Sequence, residues 1–180
     1  MKNNSFIPKQ YRITLNLKIT ALACFLLIVT SMGCASAPAK EKGDEAEFHY
    51  KMGLSYLNES NIQMAFVEFQ KSMQLRPNDK NTLNKLGLIH IYLEEYDKAQ
   101  DYFMRAISMD AGFSEAQHNL ATVYLNKHKY KEAEQTLKSA LSNPIYATPE
   151  NSFHLLGVIY YRTGDYHAAV NAFKDSLKRS

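Results

Sequence analysis

The sequence predicts an all-α fold, a right-handed α-solenoid of about four helical hairpins, and three observations predict it. Small residues recur at Gly53, Gly87, Ala121 and Gly157, and a second small-residue series, Ala65, Ala99, Ala133 and Ala169, keeps the same spacings of 34, 34 and 36. A large apolar residue follows the first series at constant distance, as Phe69, Phe103, Leu137 and Phe173. Helix-capping and helix-ending residues fall between the periodic segments, with Asp79, Ser114 with Gln117, Thr148-Pro149 and Gly164 in those places. The physical reading is that small residues mark where two helices approach too closely for a large side chain, and the aromatic residues fill the space that remains.

From the N-terminus, residues 1–33 read as an export signal. Lys2, Lys9, Arg12 and Lys18 lie there without any acidic residue, followed by an apolar run from Ile19 to Val29. That run is shorter than the about 20 apolar residues that span a bilayer. Ser31-Met32-Gly33-Cys34 then resembles the lipobox of bacterial lipoprotein signals. The resemblance implies that Cys34 is lipidated and becomes the mature N-terminus. Ala35 directly after it implies sorting to the bacterial outer membrane, with the domain lipid-anchored and facing the periplasm. Cys24 and Cys34 are the only cysteines, so the chain has neither a disulfide framework nor a cysteine-based metal site. Residues 34–45, the lipidated Cys and a run of small and charged residues, read as a flexible tether.

Composition bounds the rest. A chain of 180 residues with 46% hydrophobic and 22% charged residues is globular. The formal charge of +3 belongs to the N-terminal segment, and the remainder is close to neutral. Nucleic acid is therefore not an expected partner.

Residues 46–180 divide into repeats 46–79, 80–113, 114–149 and 150–180. Helix A of each is expected near 46–58, 80–93, 115–127 and 149–162, and helix B near 62–75, 96–109, 130–142 and 166–178. Tyr56, Tyr124 and Tyr160 follow the small residue of helix A by three places, with His90 in the second copy, and Ser72, Ala106, Ala140 and Ser176 recur near the end of helix B. With Pro77 closing the first unit, this pattern resembles the tetratricopeptide repeat, whose period is about 34 residues.

The resemblance implies that helix A lines a groove for a protein partner. The residues three before and one after the small residue share one stripe and should face that groove. They are Tyr50, Asn84, His118 and His154, then Leu54, Leu88, Thr122 and Val158. Leu57, Ile91, Leu125 and Tyr161 extend an apolar strip. Packing against neighbouring repeats is the alternative fate of these apolar residues. The clamp by which some members of the family hold a C-terminal carboxylate is not expected, since Tyr50, Leu54, Glu115 and Asn119 stand in its places.

No phosphate loop, zinc motif or Ser-His-Asp constellation is present, so the chain reads as no enzyme and as needing no cofactor. His118 and His154 are candidate neighbours across adjacent A helices, but nothing supplies further metal ligands, and a polar groove lining is the favoured reading. Glu94, Glu95, Asp97 and Asp101 read as a solvated acidic surface at a helix start.

An exported lipoprotein built of such repeats resembles the type IV pilus biogenesis lipoproteins, the PilF, PilW and Tgl family. The segment Leu141-Ser-Asn-Pro-Ile-Tyr-Ala-Thr-Pro-Glu-Asn-Ser-Phe-His-Leu-Leu-Gly157 carries the specific likeness, with Tyr146 and Pro149 in a longer turn before Phe153. The resemblance implies a pilotin that helps an outer-membrane secretin reach its membrane and assemble. The alternatives are an envelope adaptor recruiting peptidoglycan hydrolases and a structural subunit of another outer-membrane assembly complex. The partner is thus a secretin or other envelope protein, with the membrane engaged through the N-terminal lipid and the oligomeric state open.

Overall fold

The computed structural model describes residues 39–179. The expected export signal and Cys34 lie outside them. The described residues form eight α-helices in chain order: α1 (Ala39–Asn58), α2 (Ile62–Leu75), α3 (Lys80–Tyr92), α4 (Tyr96–Met109), α5 (Ser114–Asn126), α6 (Tyr130–Leu141), α7 (Pro149–Thr163) and α8 (Tyr166–Leu177). Odd-numbered helices are the A helices and even-numbered ones the B helices of four hairpins. Each helix packs on its sequence neighbours, and α3, α5 and α7 also touch in succession, which is the contact pattern of an α-solenoid.

Within each hairpin one contact sets the distance between helices. A Cβ built on Gly53 would lie 2.7 Å from Phe69, on Gly87 2.6 Å from Phe103, and on Gly157 2.5 Å from Phe173. Glycine is required there because the ring of the B helix rests directly on the A-helix backbone. The third hairpin has Ala121 in this place and Leu137 as the facing residue, both fully buried. Around these pairs the core forms three clusters, with Leu86 and Ile89 beside Phe69, Leu83 and Leu120 beside Phe103, and Leu156 and Ile159 beside Leu137. Each such fully buried side chain contributes about 1.5–3 kcal/mol relative to exposure.

All four A-to-B turns use one backbone device. The amides of Ser60, Glu94, His128 and Gly164 donate to the carbonyls of Leu57, Ile91, Leu125 and Tyr161, and the next amides, Asn61, Glu95, Lys129 and Asp165, donate to those of Tyr56, His90, Tyr124 and Tyr160. This is the Schellman motif, which needs a left-handed residue after the helix. Ser60, Glu94 and His128 have φ of 59°, 57° and 57°, and only the fourth turn places a glycine there, Gly164 at 84°.

Three local expectations can be set against the structure. Asp79 caps α3 as read, its carboxylate accepting from the Thr82 amide at 2.7 Å and the Thr82 hydroxyl at 2.6 Å. Pro149 opens α7 and Gly164 closes it. The capping box of Ser114 with Gln117 does not form, because α5 starts at Ser114 itself. The Ser114 hydroxyl instead donates to the Ala140 carbonyl at 3.1 Å, and the Gln117 amide to Ser139 at 3.0 Å, so the demands of the next helix displace the local cap. A further difference lies at the start. The stretch 39–45, read as tether, is helical, with α1 beginning at Ala39 rather than near 46. Gly43 is buried there beneath the Arg76 guanidinium, 2.8 Å from where its Cβ would be, and Ala46 is buried one turn later. Packing on the end of α2 thus extends the helix beyond what local composition favours.

Candidate functional site

The A helices bring polar side chains of consecutive repeats to one face. The Asn119 amide donates to the Asn84 side-chain oxygen at 2.9 Å, linking α3 to α5. His118 Nδ1 lies 2.9 Å from Ser152 Oγ, linking α5 to α7. The Tyr146 hydroxyl meets the same Ser152 oxygen at 3.0 Å. The longer turn before α7 therefore folds back over this face and fixes the His118–Ser152 pair from the other side.

These groups surround a cavity of about 350 Å³ lined by Asn84, Lys85, Leu88, Glu115, His118, Asn119, Tyr146, Thr148 and Asn151. Its walls are amides, hydroxyls, one lysine and one glutamate, with Leu88 the apolar contribution. Burial pushes the His118 imidazole below its ordinary value of 6.5, so near neutral pH it is uncharged and its ring nitrogens serve as one donor and one acceptor. Such a surface can satisfy the alternating N–H and C=O groups of a peptide and pair a charge of either sign.

Of the residues expected in a groove, Asn84, Leu88 and His118 meet at this cavity. Thr122 lies one turn on from His118 and spends its hydroxyl on that residue's carbonyl, 3.2 Å away. Tyr50 stacks obliquely on Phe69 at 5.7 Å, and burial together with the negative charges of Asp79, Glu47 and Glu115 raises its phenol pKa. Leu54 packs at the edge of the first core cluster and Val158 at the edge of another. His154 is exposed on its outer side and tilts against Phe173 at 5.4 Å. Tyr161 is 63% exposed and meets Tyr166 edge-on at 5.6 Å beside the fourth A-to-B turn. Leu125 is 7% exposed and belongs to the core.

His118 and His154 do not act as a pair, since the first is engaged by Ser152 and the second by Phe173. Among the described residues no three His, Cys, Asp or Glu side chains gather as metal ligands. Two of the four acidic residues are paired: Glu95 accepts from Lys98 at 2.8 Å and meets His90 Nδ1 at 2.6 Å, and Asp97 accepts from Lys127 at 2.7 Å. These partners hold both carboxyls below their ordinary range. Among the described residues no helix is long and apolar enough to cross a membrane.

Sequence reasoning did not place Lys85, Thr148 or Asn151 at the site; it named Asn119 and Glu115 only as residues standing in clamp positions and Tyr146 only as part of the longer turn. The signal for Asn119 was present as a second polar residue beside His118 on an A helix, but its partner lies 35 residues away and not at the repeat spacing of 34.

Comparisons with known proteins follow the same lines. Profiles of the tetratricopeptide repeat match residues 90–143 and 150–180. The type IV pilus assembly protein PilF of Pseudomonas aeruginosa PAO1 is 26% identical over 167 residues, which cover 89% of this chain and 66% of that protein. The solved structure of Pseudomonas aeruginosa PilF superposes with a TM-score of 0.73 at 21% identity, covering 78% of this chain and 63% of that one. The structure of PilW, a type IV pilus biogenesis factor, superposes at 0.70 with 21% identity, covering 74% and 61%. The chain thus spans just under two thirds of the length of these relatives, and the structural likenesses speak for the fold alone.

Proposed function

Given that this chain is built of tetratricopeptide repeats and is similar in sequence to the pilus assembly protein PilF, we propose that it is a non-catalytic pilotin. In this reading Cys34 carries lipid that holds the domain at the periplasmic side of the bacterial outer membrane. The A-helix face captures a segment of a secretin, and the tether keeps the captured protein at a high local concentration near the bilayer in which it assembles.

One observation carries the reading. The turn around Tyr146, whose sequence carries the specific resemblance to the pilus lipoproteins, forms a wall of the very cavity where Asn84, Leu88 and His118 meet. The proposed groove residues are Tyr50, Leu54, Asn84, Leu88, His118, Thr122, His154, Val158 and Tyr161, with Asn84, Leu88 and His118 contacting the captured segment at the cavity.

The test is recovery of the protein from mildly cross-linked native cells, with mass spectrometry of what accompanies it. A pilus secretin should accompany the wild type and be lost with Leu88→Glu. That substitution places a charge in the cavity at a half-buried position without opening the core. Equal secretin recovery by the folded variant would overturn the groove assignment, and absence of a secretin from the wild type would overturn the pilotin reading.

A further inference from the structure

A second recess lies beyond the C-terminal end of the His118 cavity's first A helix, one turn on from Leu88. A notch of about 700 Å³ opens beside the first A-to-B turn, between the start of α2 and the end of α3. Ile62, Phe66, Ile89, Tyr92 and Leu93 supply its apolar lining, and Glu59 is the one charged residue in it. Tyr92 is 69% and Leu93 50% exposed, so two large apolar side chains stand at its mouth without cover.

The repeats themselves supply the control. At the next joint the equivalents of Gln63, Phe66, Tyr92 and Leu93 are Asp97, Gln100, Asn126 and Lys127. Lys127 lies across that notch, donating to Asp97 at 2.7 Å and to Gln100 at 2.9 Å. The recess left there is about 380 Å³ and lined by charged groups. At the third joint the same places carry Lys131, Glu134, Arg162 and Thr163, and Glu134 accepts from Lys138 and the Tyr160 hydroxyl. The second joint is thus bridged by a lysine and the third carries charged and polar residues, whereas the first is apolar at its mouth.

We propose that the first notch docks an amphipathic helix of a protein partner. The helix presents two large apolar side chains one turn apart and a lysine or arginine beside them. The volume exceeds what a single side chain fills and suits such a pair. The cation follows from charge complementarity. Glu59 is met only by the Ser55 hydroxyl at 3.3 Å, Glu94 follows Leu93 without an ion pair among the described residues, and no basic residue lines the notch.

The test uses the full-length chain and a fluorescein-labelled, alanine-based peptide of about 14 residues with Phe and Leu at i and i+4 flanked by two lysines. Fluorescence anisotropy should show saturable binding, weakened about tenfold or more when Phe and Leu become Ser or when the lysines become Glu. The double variant Gln63→Asp with Leu93→Lys installs the plug of the second joint and should weaken binding to the same degree, with helical circular dichroism unchanged. Tyr92→Asn, at an exposed position that takes the residue of the third repeat, gives a second reading should the plug disturb folding. Absence of saturable binding, equal binding of the peptide with Ser in place of its apolar pair, or full binding by folded plug and Tyr92→Asn variants would each overturn the proposal.

Discussion

The second and third hairpins hold their helices together by different means. In the second, the Phe103 ring rests on the backbone at Gly87, and in the third Leu137 shares a buried cluster with Ala121. A ring needs the room that a missing methyl leaves, whereas a branched aliphatic chain leaves room for that methyl. The two positions therefore behave as one unit of fixed combined volume, and neither residue has a meaning apart from its partner.

The strongest way to break this comparison is to mix the pairs. Phe103→Ala should lower stability by about 3–5 kcal/mol, because the cavity lies in a fully buried cluster. Gly87→Ala alone should cost about 1–3 kcal/mol, since its methyl would sit 2.6 Å from the ring. The double substitution Gly87→Ala with Phe103→Leu rebuilds the third hairpin's pair in the second and should recover most of that loss. Urea denaturation of the single and double variants measures the coupling, and additive losses would show that the pairs are not exchangeable units.

A smaller effect separates the same two hairpins by pH. The place held by Asn84 in the second is held by His118 in the third, and only the histidine titrates. Burial lowers the His118 pKa in the folded protein, so as pH falls below about 6.5 the unfolded chain takes up a proton first. Stability is then unaffected by this group above that value and declines as pH falls toward the folded value. His118→Asn should flatten the slope of stability just below about pH 6.5, whatever its effect on stability at neutral pH. An unchanged slope in thermal denaturation would show that the imidazole is not held neutral by its surroundings.

The smallest expected change compares the turns. His128→Gly gives the third A-to-B turn the residue type of the fourth and should gain at most about 1 kcal/mol by relieving a left-handed backbone. Gly164→Ala should lose a similar amount. Melting temperatures of the two variants should move in opposite directions.

Most of the fold was legible because the repeat places every small residue and its large partner in register. Gly53 with Phe69 and Ala121 with Leu137 appear in the sequence at one spacing and in the structure at one contact. The left-handed turn residues were legible only at Gly164, because Ser60, Glu94 and His128 adopt a conformation that their side chains do not advertise. The start of α1 at Ala39 was hidden for a related reason: Gly43 looks like a helix breaker until Arg76, 33 places later, is seen to cover it. The site was half legible. The stripe arithmetic brought out Asn84, Leu88 and His118, but the Asn84–Asn119 and His118–Ser152 links depend on how far one hairpin is rotated on the next, a quantity that no single repeat encodes.

Those two links tie α3 to α5 and α5 to α7 through their A helices, whereas among the described residues no side-chain hydrogen bond joins α1 to α3. The first hairpin is fastened to the second through its B helix instead, by the Ser72–Thr82 hydroxyl contact at 3.2 Å and the shared core around Phe69. In mechanical terms, a load on the N-terminal end reaches the cavity around His118 by way of α2.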